Sequence, residues 1–171
     1  RIPGIVQLTC YHAHNNLQQA FSNAESLVEL NLKRDLCIDA CVFGMGRGAG
    51  NLNEELFAEF LNENYDTPYK IEPMLEIMDE YLSVIYKEKF WGYSLPLYLS
   101  ASTGCHPNYA IYLAEKDTLT VKSFNELLKG IPSPDKANFS KDKAEYYYKA
   151  YPRRLRSLDR KSGSAGMPRP I

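Results

Sequence analysis

Two short apolar segments, separated by one amphipathic helix, constrain the fold of this chain more than any other feature. Residues 5–11 form a short β-rich segment, and residues 36–43 are apolar on both pleat faces, as in a parallel strand covered on both sides. Between them, apolar residues recur at helical spacing over 17–28, with Asn15 or Asn16 as the N-cap. Two strands joined by a helix make a βαβ unit, so the sequence predicts an α/β fold.

Beyond residue 71 the chain shows only helical periodicity. Pro73 suits the first turn of a helix, and we expect the apolar stripes over 74–85 and 124–128 to be at least partly buried. Gly104 and Gly130 stand where glycines end helices. The shorter helices are predicted over 95–103, 107–115, 121–129 and 141–151.

Charge and cysteine content exclude several classes of protein. The 20 basic and 21 acidic residues give a net charge of −1, so no overall field favours nucleic acid or an anionic membrane. No apolar stretch approaches the roughly 18 residues that span a bilayer. The cysteines lack paired spacing, and Cys37 and Cys41 lie in an apolar run, which favours reduced, buried thiols over disulfides or metal ligands. We expect a cytoplasmic enzyme.

A histidine pair closes the first predicted strand. His12 and His14 are two residues apart, and alternate residues of a strand point to the same side. The carboxyl ends of parallel strands host the active sites of α/β proteins. Both imidazoles can therefore hold one metal ion, although the spacing equally fits polar residues that hydrogen-bond to their neighbours.

A glycine loop follows the second predicted strand. Its amides precede a helix and can cradle an anion, with Arg47 as a further anion contact. Glu54 and Glu55 suit the positive end of that helix. A tight turn without a ligand, with Arg47 solvated, is the alternative. The spacing matches neither a Walker loop nor a dinucleotide fingerprint. The alternating glycines are Gly44, Gly46, Gly48 and Gly50.

Two separated motifs carry a family resemblance. The first is His12-Ala13-His14-Asn15-Asn16 with the helix after it, and the second runs from Ile38 through the glycine loop into the next helix. Together they resemble the metal-dependent lyases and aldolases related to hydroxymethylglutaryl-CoA lyase, and most of all the 4-hydroxy-2-oxovalerate aldolase branch. The likeness spans residues 6–62 and continues more weakly over 91–113.

The resemblance implies a (β/α)₈ TIM barrel, of which this chain holds the last two strands. Residues 1–64 would be the C-terminal portion of the barrel, residues 65–151 an all-helical C-terminal region, and residues 152–171 a linker or tail. The family's Asp ligand, in an Arg-Asp motif, lies upstream and is absent here. We therefore expect part of a longer protein, inactive by itself.

The resemblance also assigns residues. His12 and His14 become ligands of a divalent ion, Mn²⁺ or Mg²⁺, and Asn51 a further ligand as in the lyase branch. The aldolase branch has a C-terminal tyrosine near the substrate, for which Tyr98 is the candidate. A local insertion keeps Tyr93 open, and an ordinary packing role for Tyr98 is also open.

Two polar residues have more than one interpretation. Asp39 lies on a strand predicted to be buried, where it either supports a ligand or makes a structural hydrogen bond. His106 precedes Pro107 at a helix start, which favours capping or packing over catalysis.

The implied reaction makes or breaks a carbon–carbon bond next to a small-molecule 2-oxo acid, giving pyruvate and an aldehyde. A homo-oligomer or an aldehyde dehydrogenase partner is left open. The first alternative is a Claisen-type condensation of the isopropylmalate or homocitrate synthase kind, which commonly has Asn-Asp or Asp-Asp where this chain has Asn15-Asn16. The second is a non-catalytic degenerate barrel, which the intact histidine pair and glycine loop argue against.

Overall fold

The computed structural model describes residues 8–151, which divide into two compact units between Tyr93 and Ser94. The start of the first predicted strand and the tail at 152–171 lie outside this range. The first unit contains β1 (Leu8–His12), α1 (Ala20–Glu29), β2 (Asp35–Asp39), a 3₁₀ turn (Val42–Gly44), α2 (Glu54–Tyr65), α3 (Glu72–Ile77), a π-helical turn (Met78–Leu82) and α4 (Ser83–Glu88). The second contains α5 (Leu95–Ser102), α6 (Pro107–Glu115), α7 (Val121–Gly130), α8 (Ser133–Lys136) and α9 (Lys141–Ala150).

The predicted βαβ unit is confirmed. β1 and β2 pair in parallel with α1 between them, and His12 lies opposite Asp39 in the register. Within the described residues this sheet has two strands. The side chains of Tyr11 and Ile38 pack on one face against the buried residues Ala20, Ala24, Leu52 and Phe57.

The predicted strand over 36–43 is wrong in length and in burial. β2 ends at Asp39, and the chain turns into the 3₁₀ segment three residues later. Both ends of β2 are exposed and its middle is half-buried, because helices pack on one face of the sheet only. For the same reason Cys37 and Cys41 are half-buried, not core residues as predicted.

The start of α1 differs from the predicted N-cap. The helix begins at Ala20, and Gln18 before it has a left-handed φ of 58°. Asn15 nevertheless acts on the helix, because its Oδ1 accepts a hydrogen bond of 3.2 Å from the amide of Ala20. Asn15 therefore satisfies a first-turn amide from five residues upstream.

The helical stretch from α3 to α4 is largely exposed. Pro73 lies in its first turn, as predicted. Of its side chains, however, only Leu82 is buried. The periodicity over 74–85 identified the helix correctly, and its stripe is buried only in part, as predicted, with Met74 and Met78 half-buried and Ile77, Tyr81 and Ile85 exposed. Its exposed apolar residues are Leu75, Ile77, Tyr81, Val84 and Ile85.

The helices of the second unit surround a closed core. α5, α6, α7 and α9 lie where the periodicity predicts them, whereas the short α8 was not predicted. Gly104 ends α5 with a φ of 71°, but Gly130 has no positive φ and Ile131 continues in an extended conformation, so the second predicted glycine cap is wrong. The most buried large side chains are Tyr109, Leu113, Phe124 and Leu128. Within residues 8–151, no helix combines the length and apolarity needed to cross a membrane.

Candidate metal centre

His12 and His14 lie side by side at the carboxyl end of β1. Their ring centroids are 5.1 Å apart, with ring planes at 87°. Both residues are exposed, so their nitrogens are accessible to a ligand. Metal–nitrogen bonds to imidazole are about 2.1 Å long, and two rings this close can reach the same ion.

Asp39 supports His12. Its Oδ2 lies 3.3 Å from His12 Nδ1, across the register of the two strands. With the proton on Nδ1, the carboxylate accepts that hydrogen bond and leaves Nε2 for a metal, as in many metal-binding histidines. The side chain of Asp39 is 53% exposed, so the expectation of a buried carboxylate is wrong. Its position beside His12 does fit the supporting role.

Asn51 adjoins the histidine pair through the backbone. His14 and Asn51 form an isolated antiparallel bridge. Asn51 Nδ2 donates to the carbonyl of Met45 at 3.1 Å and to Cys41 Sγ at 3.4 Å. Its Oδ1 is buried and has no hydrogen-bond partner. An unsatisfied buried acceptor costs about 1–3 kcal/mol, so this oxygen is suited to a ligand.

The donor set fits a divalent transition ion. Imidazole is a common ligand of Zn²⁺, Fe²⁺, Ni²⁺ and Cu²⁺, whereas an amide oxygen suits Mn²⁺ and Mg²⁺, so the candidate donor set is a mixed one. Within residues 8–151, no group of three or more His, Cys, Asp or Glu side chains forms a metal site. Metal binding by His12, His14 and Asn51 therefore stays a prediction.

The glycine loop is shaped around its own backbone and Asn51. A Cβ on Gly50, which has a φ of 75°, would lie 2.4 Å from the carbonyl oxygen of Gly44. A Cβ on Gly46 would lie 2.7 Å from Asn51 Nδ2. Neither position has room for a side chain, because the loop folds back closely on itself and on the side chain of Asn51.

A carboxylate of the protein occupies the start of α2. Buried Glu55 accepts hydrogen bonds from the amide of Phe43 at 2.9 Å and from Asn53 Nδ2 at 3.0 Å. This part of the loop therefore already has a negative partner at the helix N-terminus. Arg47 is exposed at the tip of the loop, and anion binding by Gly46, Arg47, Gly48 and Gly50 stays a prediction.

A polar recess of about 160 Å³ adjoins Asn51 and was not predicted. Trp91 forms part of its wall, and its indole Nε1 donates to the carbonyl of Phe43 at 2.9 Å. The amide of Gly92 donates to the carbonyl of Gly48 at 3.0 Å. Because these contacts join segments more than 40 residues apart, the sequence carries no periodic signal for them.

The two candidate tyrosines have different positions. Tyr93 lines the recess together with Asn51, whereas Tyr98 lies on α5 in the second unit. Asn51 thus adjoins His14 through the backbone bridge and shares the lining of the recess with Tyr93. His106 caps α6, since its Nδ1 accepts from the amide of Asn108 at 3.2 Å, which confirms the predicted capping role.

Comparison with known proteins finds a partial likeness to aldolases. The crystal structure of the N-terminal domain of a Bacteroides vulgatus protein assigned as an aldolase matches with a TM-score of 0.56 and 27% identity, covering 66% of this chain and 36% of that one. No family model matches the chain.

The sequence relatives are more specific. The chain is similar to 4-hydroxy-2-oxovalerate aldolases, with 36% identity over 73 residues to that of Desulfitobacterium hafniense, covering 42% of this chain and 21% of the relative. Identity to the Burkholderia pseudomallei and Burkholderia thailandensis enzymes is 43% over 68 residues, covering 39% of this chain and 19% of each relative. The predicted resemblance is confirmed, and the chain spans about a fifth of the length of these relatives.

Proposed function

We propose that the intact protein is a divalent-metal-dependent aldolase that cleaves or forms the carbon–carbon bond of a 4-hydroxy-2-oxo acid, with pyruvate and an aldehyde as the other reactants. One observation carries the proposal. The rings of His12 and His14 stand 5.1 Å apart at a strand end, and the backbone of His14 is bridged to Asn51, whose Oδ1 is buried without a hydrogen-bond partner. The partial likeness to aldolases supports the reaction class.

The proposal includes a barrel completed by an upstream segment of the protein. In it, residues 1–64 form the last two strands, and the upstream segment supplies a carboxylate ligand. Among residues 8–151, β2 has one strand partner, and an apolar cavity of about 730 Å³ lies beside it; both support this arrangement, because a further strand can pair there. His12 and Asp39 also line that cavity, which would bring such a strand close to the metal ligands. We place this enzyme in the cytoplasm.

Each residue then has a definite task. His12, His14 and Asn51 hold the ion, and Asp39 fixes the orientation of His12. Bound there, Mn²⁺ or Mg²⁺ would act as a Lewis acid toward the keto and carboxylate oxygens of the substrate. Arg47 and the loop amides would meet the substrate carboxylate.

A tyrosine completes the proposed site. It would hydrogen-bond the reacting oxygen of the substrate. Tyr98 is the candidate from sequence, and the position of Tyr93 beside Asn51 supports Tyr93 instead. The variants Tyr93→Phe and Tyr98→Phe remove one hydroxyl each, so the larger loss of kcat identifies the tyrosine that serves the reaction.

The test is pyruvate release from 4-hydroxy-2-oxopentanoate by the intact protein, with Mn²⁺ binding measured separately by electron paramagnetic resonance. We expect turnover that a chelator abolishes and Mn²⁺ restores. Release of CoA from acetyl-CoA and a 2-oxo acid, without aldol cleavage, would instead support the Claisen-type alternative. Loss of both activities together with absence of Mn²⁺ binding would support a non-catalytic barrel.

A further inference from the structure

The recess beside Asn51 has a composition unlike that of an apolar pocket. Its polar side chains are carboxamides, tyrosine hydroxyls and one indole, and no Asp, Glu, Lys or Arg is among the described residues that line it. The ring of Trp91 lies 5.7 Å from that of Phe43 and 4.9 Å from that of Tyr86, measured between centroids. A neutral polar group that also has carbon–hydrogen surface fits such walls best.

Besides Asn51 Oδ1, the hydrogen bonds around the recess leave a donor on Asn15 and an acceptor on Gln18 unused. Asn15 Oδ1 is engaged by the amide of Ala20, and Gln18 Nε2 donates to the carbonyl of Asn15 at 3.1 Å. Asn15 Nδ2 and Gln18 Oε1 have no partner within residues 8–151. A hydroxyl group both accepts and donates, so it can pair with both atoms, whereas a methyl group can pair with neither.

The backbone around the recess is held in costly conformations. Phe43 and Gln18 have left-handed φ values of 60° and 58°, although neither is glycine. Such conformations cost about 1–3 kcal/mol and are enriched at active sites and ligand-binding segments. The amide of Phe43 is fixed by Glu55 and its carbonyl by Trp91, so surrounding contacts hold this strain in place.

The size and position of the recess match a short fragment of the substrate. At about 30 Å³ for each water molecule, 160 Å³ corresponds to roughly five waters, enough for a two- or three-carbon group. The recess shares Asn51 with the candidate metal centre. A 2-oxo acid held at that centre would therefore extend its aldehyde-derived end toward Asn15 and Gln18.

We infer that the aldehyde half of the substrate is a short hydroxylated aldehyde of the glycolaldehyde or glyceraldehyde kind, selected through its hydroxyl by Asn15 and Gln18. The inference rests on the proposed aldolase function. In the forming direction, the methyl carbon of pyruvate bonds to the aldehyde carbon. The proton lost from the methyl group is balanced by one gained at the aldehyde oxygen.

The experiment compares kcat/KM of the intact protein for glycolaldehyde and for propanal, each with pyruvate. The two aldehydes differ only by a hydroxyl in place of a methyl group. We expect glycolaldehyde to be preferred about 100-fold, less than the 10⁴-fold selectivity of fully enclosed hydroxyl sites because this recess is open. Gln18→Met, which retains side-chain length, should reduce that ratio at least about tenfold. Gln19→Met is the matched control, because Gln19 does not line the recess, and it should leave the ratio unchanged.

Equal or better use of propanal would overturn the inference, as would a ratio that survives Gln18→Met. If no aldehyde reacts with pyruvate at all, the proposed function fails and the recess is tested separately. Saturation-transfer NMR with erythritol should then show binding that Gln18→Met abolishes and Gln19→Met preserves. Absence of erythritol binding to the wild-type protein would overturn the hydroxyl-binding role itself.

Discussion

The two units of this chain differ in how much of their apolar surface they bury. In the second unit, ten buried residues form one cluster, surrounded by partly buried aromatic residues. In the first unit, the cluster under the sheet has four buried members, and a helical stretch exposes most of its apolar side chains. The second unit satisfies its apolar faces internally. The first unit carries the candidate chemistry and leaves apolar surface uncovered, as expected of a region that other chain segments complete.

Backbone strain is divided in the same way. Among the described residues, non-glycine positions with left-handed φ are Gln18, Asn31, Phe43 and Asp66 in the first unit and Asp117 in the second. Two of the first four line the recess. Ligand binding is therefore proposed at a place where two of these five residues lie, while Asn31, Asp66 and Asp117 lie outside the recess.

The largest expected effect comes from removing the histidine pair. In the intact protein, the double variant His12→Ala, His14→Ala should lose bound Mn²⁺ and lower turnover by more than about 100-fold, since even residues that only support metal ligands contribute 10- to 100-fold. His106→Ala is the control, because that histidine caps a helix in the second unit. Elemental analysis and pyruvate release decide the outcome. If the double variant retained both metal and turnover, His12 and His14 would not be metal ligands.

The next largest effect is a difference in unfolding free energy between truncations in the two units. Phe124→Ala in the second unit, where the ring is 2% exposed, should lower the free energy of unfolding by about 3–5 kcal/mol. Tyr81→Ala in the first unit, where the side chain is 61% exposed, should change it by less than about 0.5 kcal/mol. Urea unfolding measures both. A loss at Tyr81 as large as that at Phe124 would show that the exposed stripe is covered in solution.

Two glycines provide a matched pair with nearly equal φ. At Gly104 the space that a methyl group would occupy is open, so Gly104→Ala should cost only the left-handed strain of about 1–2 kcal/mol. At Gly50 the same change also collides with the carbonyl of Gly44, which adds about 1–3 kcal/mol for overpacking. Thermal unfolding of both variants gives the comparison. Equal losses would mean that the loop relaxes freely and does not seal Asn51.

The smallest effect concerns acid stability of the second unit. Hydrogen bonds to Lys116, Tyr112 and Lys149 lower the pKa of Glu145 from 4.5 to about 2. A lowered carboxylate pKa stabilises the fold above pH 4.5, and that contribution is lost as the pH falls from about 4.5 to about 2. Glu145→Gln should therefore flatten the pH dependence of unfolding in that window. An unchanged slope would show that the hydrogen bonds around Glu145 are too solvated to matter.

Local patterns in the sequence determined much of the framework. Helical periodicity located α5, α6, α7 and α9, because the spacing of apolar residues reports directly on a repeating backbone. Alternation along a strand placed His12 and His14 together, and capping chemistry assigned His106. Each of these inferences depends on residues only a few positions apart.

Tertiary structure decided which faces are covered and what the site contains. The apolar segment at 36–43 predicted a strand covered on both faces, but an apolar pattern states what a face can pack against and not whether a partner is present. The recess depends on Trp91 donating to Phe43 and on Asn15 and Gln18 lying beside Asn51. Those contacts join distant parts of the chain, and they exist only once the loop has closed on itself. No local sequence pattern therefore predicts that Tyr93 and Asn51 line the same recess; that follows from the tertiary fold.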